Sequence, residues 1–219
     1  MICDMKKRVF GNVLIILGVL MVLASLGLTM YNLYEDGLAG SRTVNPDTIV
    51  SLDTLSDSYR ATDYIPDYRL DENFEMPVVN IDGWDYIGRV DIPELDLSLP
   101  VLSELTYPGL KISPARYQGS VYDGDFIIGA HNYNSHFGRL KTLAPGAELS
   151  FTDVDGNQFN YKILEIVTLD GYDVDGLVVG DWDLTLFTCT YGGKSRVTVR
   201  CELVSENLIG DIDADFDVL

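Results

Sequence analysis

The first pattern along the chain is a long apolar segment near its N-terminus. Residues 9–31 form a run of 23 residues that contains no charged side chain. A helix of about 20 apolar residues is long enough to cross the hydrocarbon core of a bilayer. Lys6, Lys7 and Arg8 come directly before the run, and basic residues beside a span favour the cytoplasmic side. The pattern predicts a transmembrane anchor over residues 9–31, with residues 1–8 in the cytoplasm and everything that follows outside the cell.

Two other interpretations of the same run are a buried core helix and a cleaved signal peptide. The amphipathic spacing of a helix packed on a core is missing from residues 9–31. The run is also long for the apolar part of a signal peptide, and no A-x-A cleavage site follows it cleanly. We therefore favour an uncleaved anchor.

The segments on either side of the central region are polar. Residues 32–80 show weak hydrophobic periodicity, and the Asn45-Pro46 pair favours a short helix over residues 47–55. We interpret residues 32–80 as an extracellular stalk or arm, either a spacer or a segment that covers a site. Residues 205–219 carry five acidic side chains and no basic one, which predicts an acidic tail.

Residues 81–204 have the short alternating segments that are typical of β-strands. The predicted strands are Tyr86–Ile92, Asp125–Ala130, Glu148–Thr152, Gln158–Leu169, Asp183–Cys189 and Arg196–Val204. Many short strands separated by turn signals imply an all-β barrel or sandwich.

Turn signals and short helices complete this central region. Asp155-Gly156 predicts a two-residue hairpin turn, and Gly192-Gly193 predicts the turn between the last two strands. Helical sequence is limited to about residues 136–143 and to a turn or two within residues 107–116.

Composition and charge exclude several classes of protein. Hydrophobic residues make up 47% of the chain, so a packed core is expected and wholesale disorder is excluded. The chain has 15 basic and 34 acidic residues, and this acidic balance argues against nucleic acid as a partner. Residues 1–31 hold one acidic and three basic side chains, so the rest of the chain carries a net charge of −21. Three cysteines exclude a scaffold built on several disulfides.

Candidate chemistry lies at the ends of the predicted strands. His131 follows the strand Asp125–Ala130, and Cys189 ends the strand Asp183–Cys189. A cysteine acts as a nucleophile in its thiolate form, and a neighbouring imidazole can move the proton. Arg196 begins the returning strand of the last hairpin, so antiparallel pairing places it at the Cys189 end. A guanidinium there can donate to a developing oxyanion or hold a substrate strand.

Other residues of the same types have simpler interpretations. Arg200 lies four residues further along the strand than Arg196, and we expect it to be a solvated cation. Cys201 shares its parity with apolar residues and is expected in the core, not in a bridge to Cys189. His136 lacks a cluster of metal-ligating neighbours in sequence, so we expect a loop residue and no metal site.

These residues together resemble a known family. The segment TLFTC (Thr185–Cys189), followed by Arg196 at the start of an apolar strand, is similar to the TLxTC signature of sortases. The strand that ends in His131-Asn132 resembles their catalytic-histidine segment, although Ala130 stands where the family often has glycine. The block Tyr86–Leu102 is similar to the first two strands of the family. The resemblance extends over about residues 84–204.

The resemblance implies a closed sortase-type eight-stranded β-barrel with short helices, preceded by one transmembrane helix. It implies a Gram-positive surface transpeptidase without a cofactor, whose Cys189 attacks an LPxTG-like sorting signal to form a thioacyl-enzyme. His131 would protonate the leaving amine, Arg196 would steady the substrate or the oxyanion, and Thr188 and Asn132 would contact the substrate. The implied partners are the sorting-signal peptide and an amine acceptor, such as a peptidoglycan precursor or a pilin lysine.

The sortase class and two rival functions stay open. Residues 131–143 are most similar to class B sortases, but only 13 residues separate Leu169 from Asp183. The long insertion of class B is therefore short or absent, which leaves a class D-like enzyme open. The chain contains no Asp-Pro pair, so the lid motif of pilus sortases is absent, which favours protein anchoring over pilin polymerisation. The rivals are a non-catalytic surface module that binds peptide or glycan, and a cysteine hydrolase without transfer.

Overall fold

The computed structural model describes residues 2–49, 65–71 and 74–207. The chain divides into two units, Met1–Leu38 and Ala39–Leu219. The first unit consists of most of helix α1 (Ile2–Arg42). This helix contains a segment that is long and apolar enough to cross a membrane, and the most apolar window of that segment is not buried against protein. The helix continues beyond residue 31, so the first eleven residues of the predicted stalk or arm are helical.

In the second unit, nine strands among the described residues form one sheet. The strands are β1 (Val79–Ile81), β2 (Trp84–Ile92), β3 (Leu97–Leu102), β4 (Ala115–Gln118), β5 (Phe126–Ala130), β6 (Glu148–Asp153), β7 (Gln158–Asp170), β8 (Leu184–Cys189) and β9 (Ser195–Asn207). Their order is β1-β2-β3-β4-β5-β8-β9-β7-β6, and β6 also pairs with β2. That second pairing closes β2 to β9 into an eight-stranded ring, so the predicted barrel is confirmed.

Closure of the ring at β2 depends on one glycine. The register between β2 and β3 shifts between Tyr86 and Gly88, which marks a β-bulge. Gly88 has a φ of +155°, and a Cβ there would collide with the carbonyl of Thr152 and lie 2.6 Å from the ring of Phe151. Only glycine allows β6 to approach β2 this closely.

The six predicted strands are all present, and their ends differ by three residues or fewer from the prediction. Of the other three strands, β3 was implied only by the resemblance of Tyr86–Leu102 to the first two strands of the family. β1 and β4 were not predicted, because strands of three and four residues are too short to show an alternating pattern. β9 continues to Asn207, which pairs with Gln158. Residues 205–207 of the predicted tail therefore belong to the barrel, and residues 208–219 lie outside the described residues.

The core of the barrel is formed by the inward-facing side chains of the strands. On β8 and β9 these are Leu184, Leu186, Val199 and Cys201, all of them fully buried. Cys201 is thus the core residue that its parity predicts. The strands β5 and β8 are buried on their outer faces as well, apart from Cys189. This explains their nearly continuous apolar sequences.

Of the two predicted helical regions, the first agrees with the prediction and the second contains less helix than expected. Helix α2 (Tyr107–Leu110) occupies one turn of the predicted region, and residues 136–143 contain only a 3₁₀ turn at Leu140–Thr142. In the second region the chain coils tightly. The amide of Gly138 donates to the carbonyl of Tyr133 at 2.9 Å, and a Cβ at Gly138 would lie 2.5 Å from the carbonyl oxygen of Asn132.

The loop between β6 and β7 is longer than the predicted two-residue turn. It spans residues 154–157, because the buried carboxylate of Asp153 holds its far end. That carboxylate accepts hydrogen bonds from the backbone and side-chain nitrogens of Asn157, both at 2.8 Å, and from the Tyr122 hydroxyl at 2.9 Å. Burial raises the pKa of Asp153, and the three donors oppose that change.

The first part of the predicted stalk or arm packs on the barrel. Ile49 is 1% exposed and contacts a cluster that includes Tyr86, Leu102 and Ala115. The hydroxyl of Thr43 donates to the carbonyl of Ile112 at 2.9 Å. The described part of the predicted helix over residues 47–55 belongs to a 3₁₀ turn at Pro46–Thr48, and the rest of that prediction lies outside the described residues, which omit residues 50–64.

The second described part of this segment is also packed. The ring of Tyr68 stacks on that of Tyr122, with centroids 4.3 Å apart, and its hydroxyl donates to Glu206 at 3.1 Å. Burial and the Glu206 carboxylate raise the pKa of Tyr68 to about 12. Met76 lies in the main core. The described parts of residues 39–80 therefore form an arm that is docked on the barrel, rather than a free stalk.

The arm gives the first prediction. Ile49→Ala should lower the free energy of unfolding by about 2–5 kcal/mol, because it removes a fully buried side chain and leaves a cavity. Ile65 lies in the same segment but is 57% exposed, so Ile65→Ala should change stability by less than about 0.5 kcal/mol. Urea unfolding of the full chain in detergent, followed by fluorescence of Trp84 and Trp182, measures both. Equal effects would contradict the docked arm.

Candidate active site

The site is built on three adjacent strands, β5, β8 and β9. β5 and β8 are parallel, and their register pairs Ala130 with Thr188. His131 directly follows Ala130, so it lies at the same level as Cys189 on the neighbouring strand. β8 and β9 are antiparallel, and their register pairs Cys189 with Arg196.

This register places the three side chains side by side. Neighbouring strands are about 4.8 Å apart, and side chains alternate between the two faces of a strand. The inward face belongs to Ala130, Thr188 and Val197. His131, Cys189 and Arg196, one position along in each case, therefore share the outer face at one end of the barrel.

Thr188 fixes the strand that carries the cysteine. It is 2% exposed, and its hydroxyl donates to the carbonyl of Ala130 at 2.8 Å. This bond ties the last residue of β5 to the residue before Cys189. The hydroxyl is therefore used inside the sheet, and a contact between Thr188 and the substrate stays a prediction.

The turn between β8 and β9 holds Arg196 opposite Cys189. The amide of Thr190 donates to the carbonyl of Ser195 at 2.8 Å, and the Thr190 hydroxyl donates to the same carbonyl at 3.1 Å. Gly192 and Gly193 have φ angles of +83° and +70°, which glycine adopts without strain. The predicted Gly192-Gly193 turn is confirmed.

The imidazole of His131 lies between two tyrosine rings. Tyr107 approaches it edge-on, with ring centroids 5.7 Å apart, and the ring of Tyr133 is at 5.1 Å. The Nε2 atom is buried and has no hydrogen-bond partner among the described residues. Burial, and secondly the charge of Lys111, lower the pKa of His131, because both disfavour the imidazolium.

Arg196 presents donor groups that the rest of the described protein does not use. Its guanidinium lies 5.9 Å from the centroid of the Phe187 ring. The Nη1 atom is buried and has no hydrogen-bond partner among the described residues. Buried donors are nearly always paired in folded proteins, so an unpaired one beside a nucleophile is suited to receive a substrate oxygen.

The two cysteines of the barrel differ in accessibility. Cys189 is exposed and Cys201 is buried, and both are free thiols. Burial, with a smaller contribution from Asp183, raises the pKa of Cys201 well above its usual range. The accessible sulfur is the one that lies beside an imidazole and a guanidinium.

The two remaining candidate residues lie in the loop after β5. Asn132 is half-buried and follows His131 at the same end of the barrel. His136 is fully buried and packs against Tyr133, with ring centroids 5.5 Å apart. In the described part of the chain, no group of three or more potential metal ligands is arranged to hold an ion.

A cavity opens beside this outer face. It has a volume of about 460 Å³, and Leu105, Arg116 and Tyr117 are among the residues that line it. Tyr117 meets the Phe187 ring edge-on at 5.5 Å, and Leu105 packs against the same phenylalanine. The cavity therefore adjoins the surface that leads along β8 to Cys189.

Comparison with known proteins assigns the family. The family model "Sortase domain" matches residues 90–204, which is more than half of the chain. The chain belongs to the sortase family. The match covers β5, β8 and β9 as far as residue 204, and sortases are membrane-associated cysteine transpeptidases.

Individual relatives agree with this assignment. The chain is 25% identical over 212 residues to sortase A of Bacillus anthracis, across 91% of this chain and 96% of the relative. Among solved structures, sortase C1 of Streptococcus agalactiae is similar with a TM-score of 0.52 and 27% identity, over 66% of this sortase and 79% of that chain. Sortase C-3 of Streptococcus pneumoniae has a TM-score of 0.52 and 25% identity, over 65% and 74% of the two chains. The class B-like or class D-like prediction is not tested by these similarities.

Arg200 corrects one expectation about this sortase. It is not a solvated cation, because its side chain is only 14% exposed. It donates to the Glu165 carboxylate and to the carbonyl of Gly176, both at 2.6 Å, and its guanidinium lies 4.8 Å from the ring centroid of Trp182. The sequence offered no signal for this role, because the partners come from β7 and from the loop between β7 and β8.

Arg200 fixes the loop that covers the outer face of β8. This loop contains helix α3 (Asp175–Val178). Leu177 of α3 is buried against Ile127 and Phe187. Arg200 holds the adjacent Gly176, so α3 forms a fixed wall beside the surface that leads to Cys189.

This tether gives the second prediction. Arg200→Gln should make amide hydrogen exchange in residues 171–183 at least about tenfold faster, because a charge-assisted hydrogen bond contributes about 1.5–3 kcal/mol. Arg69 is the matched control, since it forms an arginine–glutamate pair with Glu206 but is 49% exposed. Arg69→Gln should leave exchange in residues 171–183 unchanged. Unchanged exchange in Arg200→Gln would show that the apolar contacts of α3 alone hold the loop.

Proposed function

We propose that this sortase is a membrane-anchored transpeptidase that cleaves an LPxTG-like sorting signal and transfers the acyl group to an amine on the cell wall. The observation that carries the proposal is the row of His131, Cys189 and Arg196 on three adjacent strands. A thiol, an imidazole and a guanidinium are sufficient for acyl transfer in two steps.

In the first step, the Cys189 sulfur attacks the carbonyl carbon of the substrate threonine. The imidazole of His131, whose pKa is lowered by burial and by the charge of Lys111, takes the thiol proton. A C–S bond forms, the peptide C–N bond breaks, and the imidazolium gives its proton to the departing amine. The product of this step is a thioacyl-enzyme.

In the second step, the acceptor amine attacks the thioester carbonyl. A new C–N bond forms, the C–S bond breaks, and the proton of the amine passes to His131 and then back to the sulfur. In both steps the carbonyl oxygen becomes negative, and the unpaired Nη1 of Arg196 is placed to donate to it. Asn132 remains a candidate substrate contact at the same rim.

The substrate approaches, on this proposal, along the outer face of β8. Leu105 and Tyr117, which line the cavity, contact Phe187, and so does Leu177 of α3. A sorting signal that lies in this region reaches Cys189 at the end of the strand. Helix α1 serves as the single-pass anchor, with Lys6, Lys7 and Arg8 in the cytoplasm and the barrel outside.

The acceptor is proposed to be a peptidoglycan precursor rather than a pilin lysine. The absence of an Asp-Pro pair from the chain supports this choice, because the resemblance associates that pair with the lid of pilus sortases. A net charge of −21 beyond the anchor keeps the catalytic unit away from anionic lipid headgroups, which leaves it free to meet its substrates.

The third prediction tests this reaction directly. The full chain in detergent is incubated with an LPxTG-like peptide, with and without an acceptor amine, and products are identified by mass spectrometry. We expect transfer product when amine is present. Cys189→Ala should abolish it, His131→Ala should lower the rate by about 10²–10⁴-fold, and Arg196→Lys by about 10²-fold. Cys201→Ala, which changes only a core thiol, should retain transfer.

Three outcomes separate the proposal from its rivals. Cleavage without any amine-dependent product would indicate the cysteine hydrolase. No cleavage by the wild-type chain across a library of sorting-signal peptides would favour the binding module. Full activity in Cys189→Ala would contradict both catalytic interpretations.

A further inference from the structure

Helix α2 presents a second, unassigned charged residue to the active site. The hydroxyl of Thr106 caps the helix by accepting from the amide of Gly109 at 3.1 Å, and Pro108 lies in its first turn. The amide of Lys111 donates to the carbonyl of Pro108 at 3.2 Å. These bonds fix the backbone that carries Tyr107 and Lys111.

Tyr107 connects the ammonium of Lys111 to the imidazole of His131. The Nζ atom of Lys111 lies 5.4 Å from the centroid of the Tyr107 ring, a distance typical of a cation–π contact. The same ring forms a T-shaped contact with the imidazole, with centroids 5.7 Å apart. A single aromatic ring therefore contacts both the ammonium and the imidazole.

Lys111 has no ion-pair partner among the described residues. In the part of the chain that the structure describes, no carboxylate lies within 4 Å of its Nζ atom. The half-buried position of Lys111 and of His131 reduces screening by water. The charge of the ammonium therefore contributes to the electrostatic environment of the imidazole.

Ionisable groups from four elements lie near His131. They are Tyr107 and Lys111 of the α2 region, Tyr133 of the loop after β5, Cys189 of β8 and Arg196 of β9. Lys111 and Arg196 are cations, and none of the five is a carboxylate. Burial and the Lys111 charge both lower the pKa of His131.

We propose that Lys111, held on the face of Tyr107, is a positioning residue that keeps the His131 imidazole neutral in the resting enzyme. This inference rests on the proposed role of His131 as the proton carrier. A neutral imidazole is ready to take the proton of the Cys189 thiol. The imidazolium that results lies near a cation, so it releases its proton more readily to the leaving amine.

The test is a direct titration of the histidines by NMR. The chain contains two histidines, His131 and the buried His136, so histidine-selective labelling gives few signals. The full chain is studied in detergent micelles in a Cys189→Ala background, because a titrating thiol would couple to the imidazole. Lys111→Gln should move the His131 midpoint to higher pH, since a repelling charge is removed.

Matched variants separate a local effect from net charge and from misfolding. Lys111→Arg keeps the cation and should restore the wild-type midpoint. Lys162 is exposed, and in the strand register it lies opposite Glu202 of β9. Glu202 is about 20 Å along the strand from Arg196, so Lys162→Gln should leave the His131 midpoint unchanged. Tyr107→Leu removes the ring that holds the ammonium and should shift the midpoint in the same direction as Lys111→Gln.

Two results would overturn the proposal. One is a His131 midpoint that stays in place or falls in Lys111→Gln. The other is an equal shift in Lys162→Gln, which would make the effect one of overall charge.

A parallel measurement links the titration to catalysis. In the Cys189 enzyme, the acidic limb of the kcat/KM profile should move to higher pH in Lys111→Gln, and an unmoved limb would contradict the proposal. If His131→Ala retained transfer, the proposed function would fail, while the titration would still decide whether Lys111 acts on the imidazole.

Discussion

The parallel pairing of β5 with β8 is the constraint on which the active site depends. Because Ala130 pairs with Thr188, the residues that follow them, His131 and Cys189, lie side by side. A shift of one position would turn one of the two side chains into the core. The buried hydrogen bond from Thr188 to the Ala130 carbonyl opposes such a shift. The hairpin from β8 to β9 then adds Arg196 at the same level.

The surroundings of this row of side chains serve two purposes. Apolar residues cover the outer faces of β5 and β8 up to the site, so the strands are buried on both sides and rigid. Arg200 holds α3 in place over β8, and α2 brings an aromatic ring and a cation to the histidine. The strands thus fix the reacting groups, while the two short helices shape the space and the charge around them.

Features that depend on residues close together in the chain were predicted from the sequence, whereas contacts between distant segments were not. The ends of the strands with a clear alternating pattern were predicted to within three residues. The geometry of the hairpin was sufficient to predict that Arg196 lies opposite Cys189. The placement of His131 beside Cys189 could be predicted only from the family resemblance, because no sequence pattern near either residue indicates that β5 and β8 pair in parallel. Arg200 was misjudged, and the internal contacts of Thr188 and of Thr43 in the docked arm were not predicted, since the partners of these three residues are 24, 58 and 69 residues away.

The central claim is that His131 and Cys189 act as one chemical unit, and alkylation of the thiols tests it most directly. The full chain in detergent is treated with iodoacetamide across a range of pH, and labelling of Cys189 and Cys201 is followed by peptide mass spectrometry. We expect Cys189 to react much faster than Cys201, and we expect His131→Ala to slow Cys189 at neutral pH, because the imidazole no longer takes its proton. Equal, slow labelling of both cysteines, or a Cys189 rate that does not change in His131→Ala, would contradict this account.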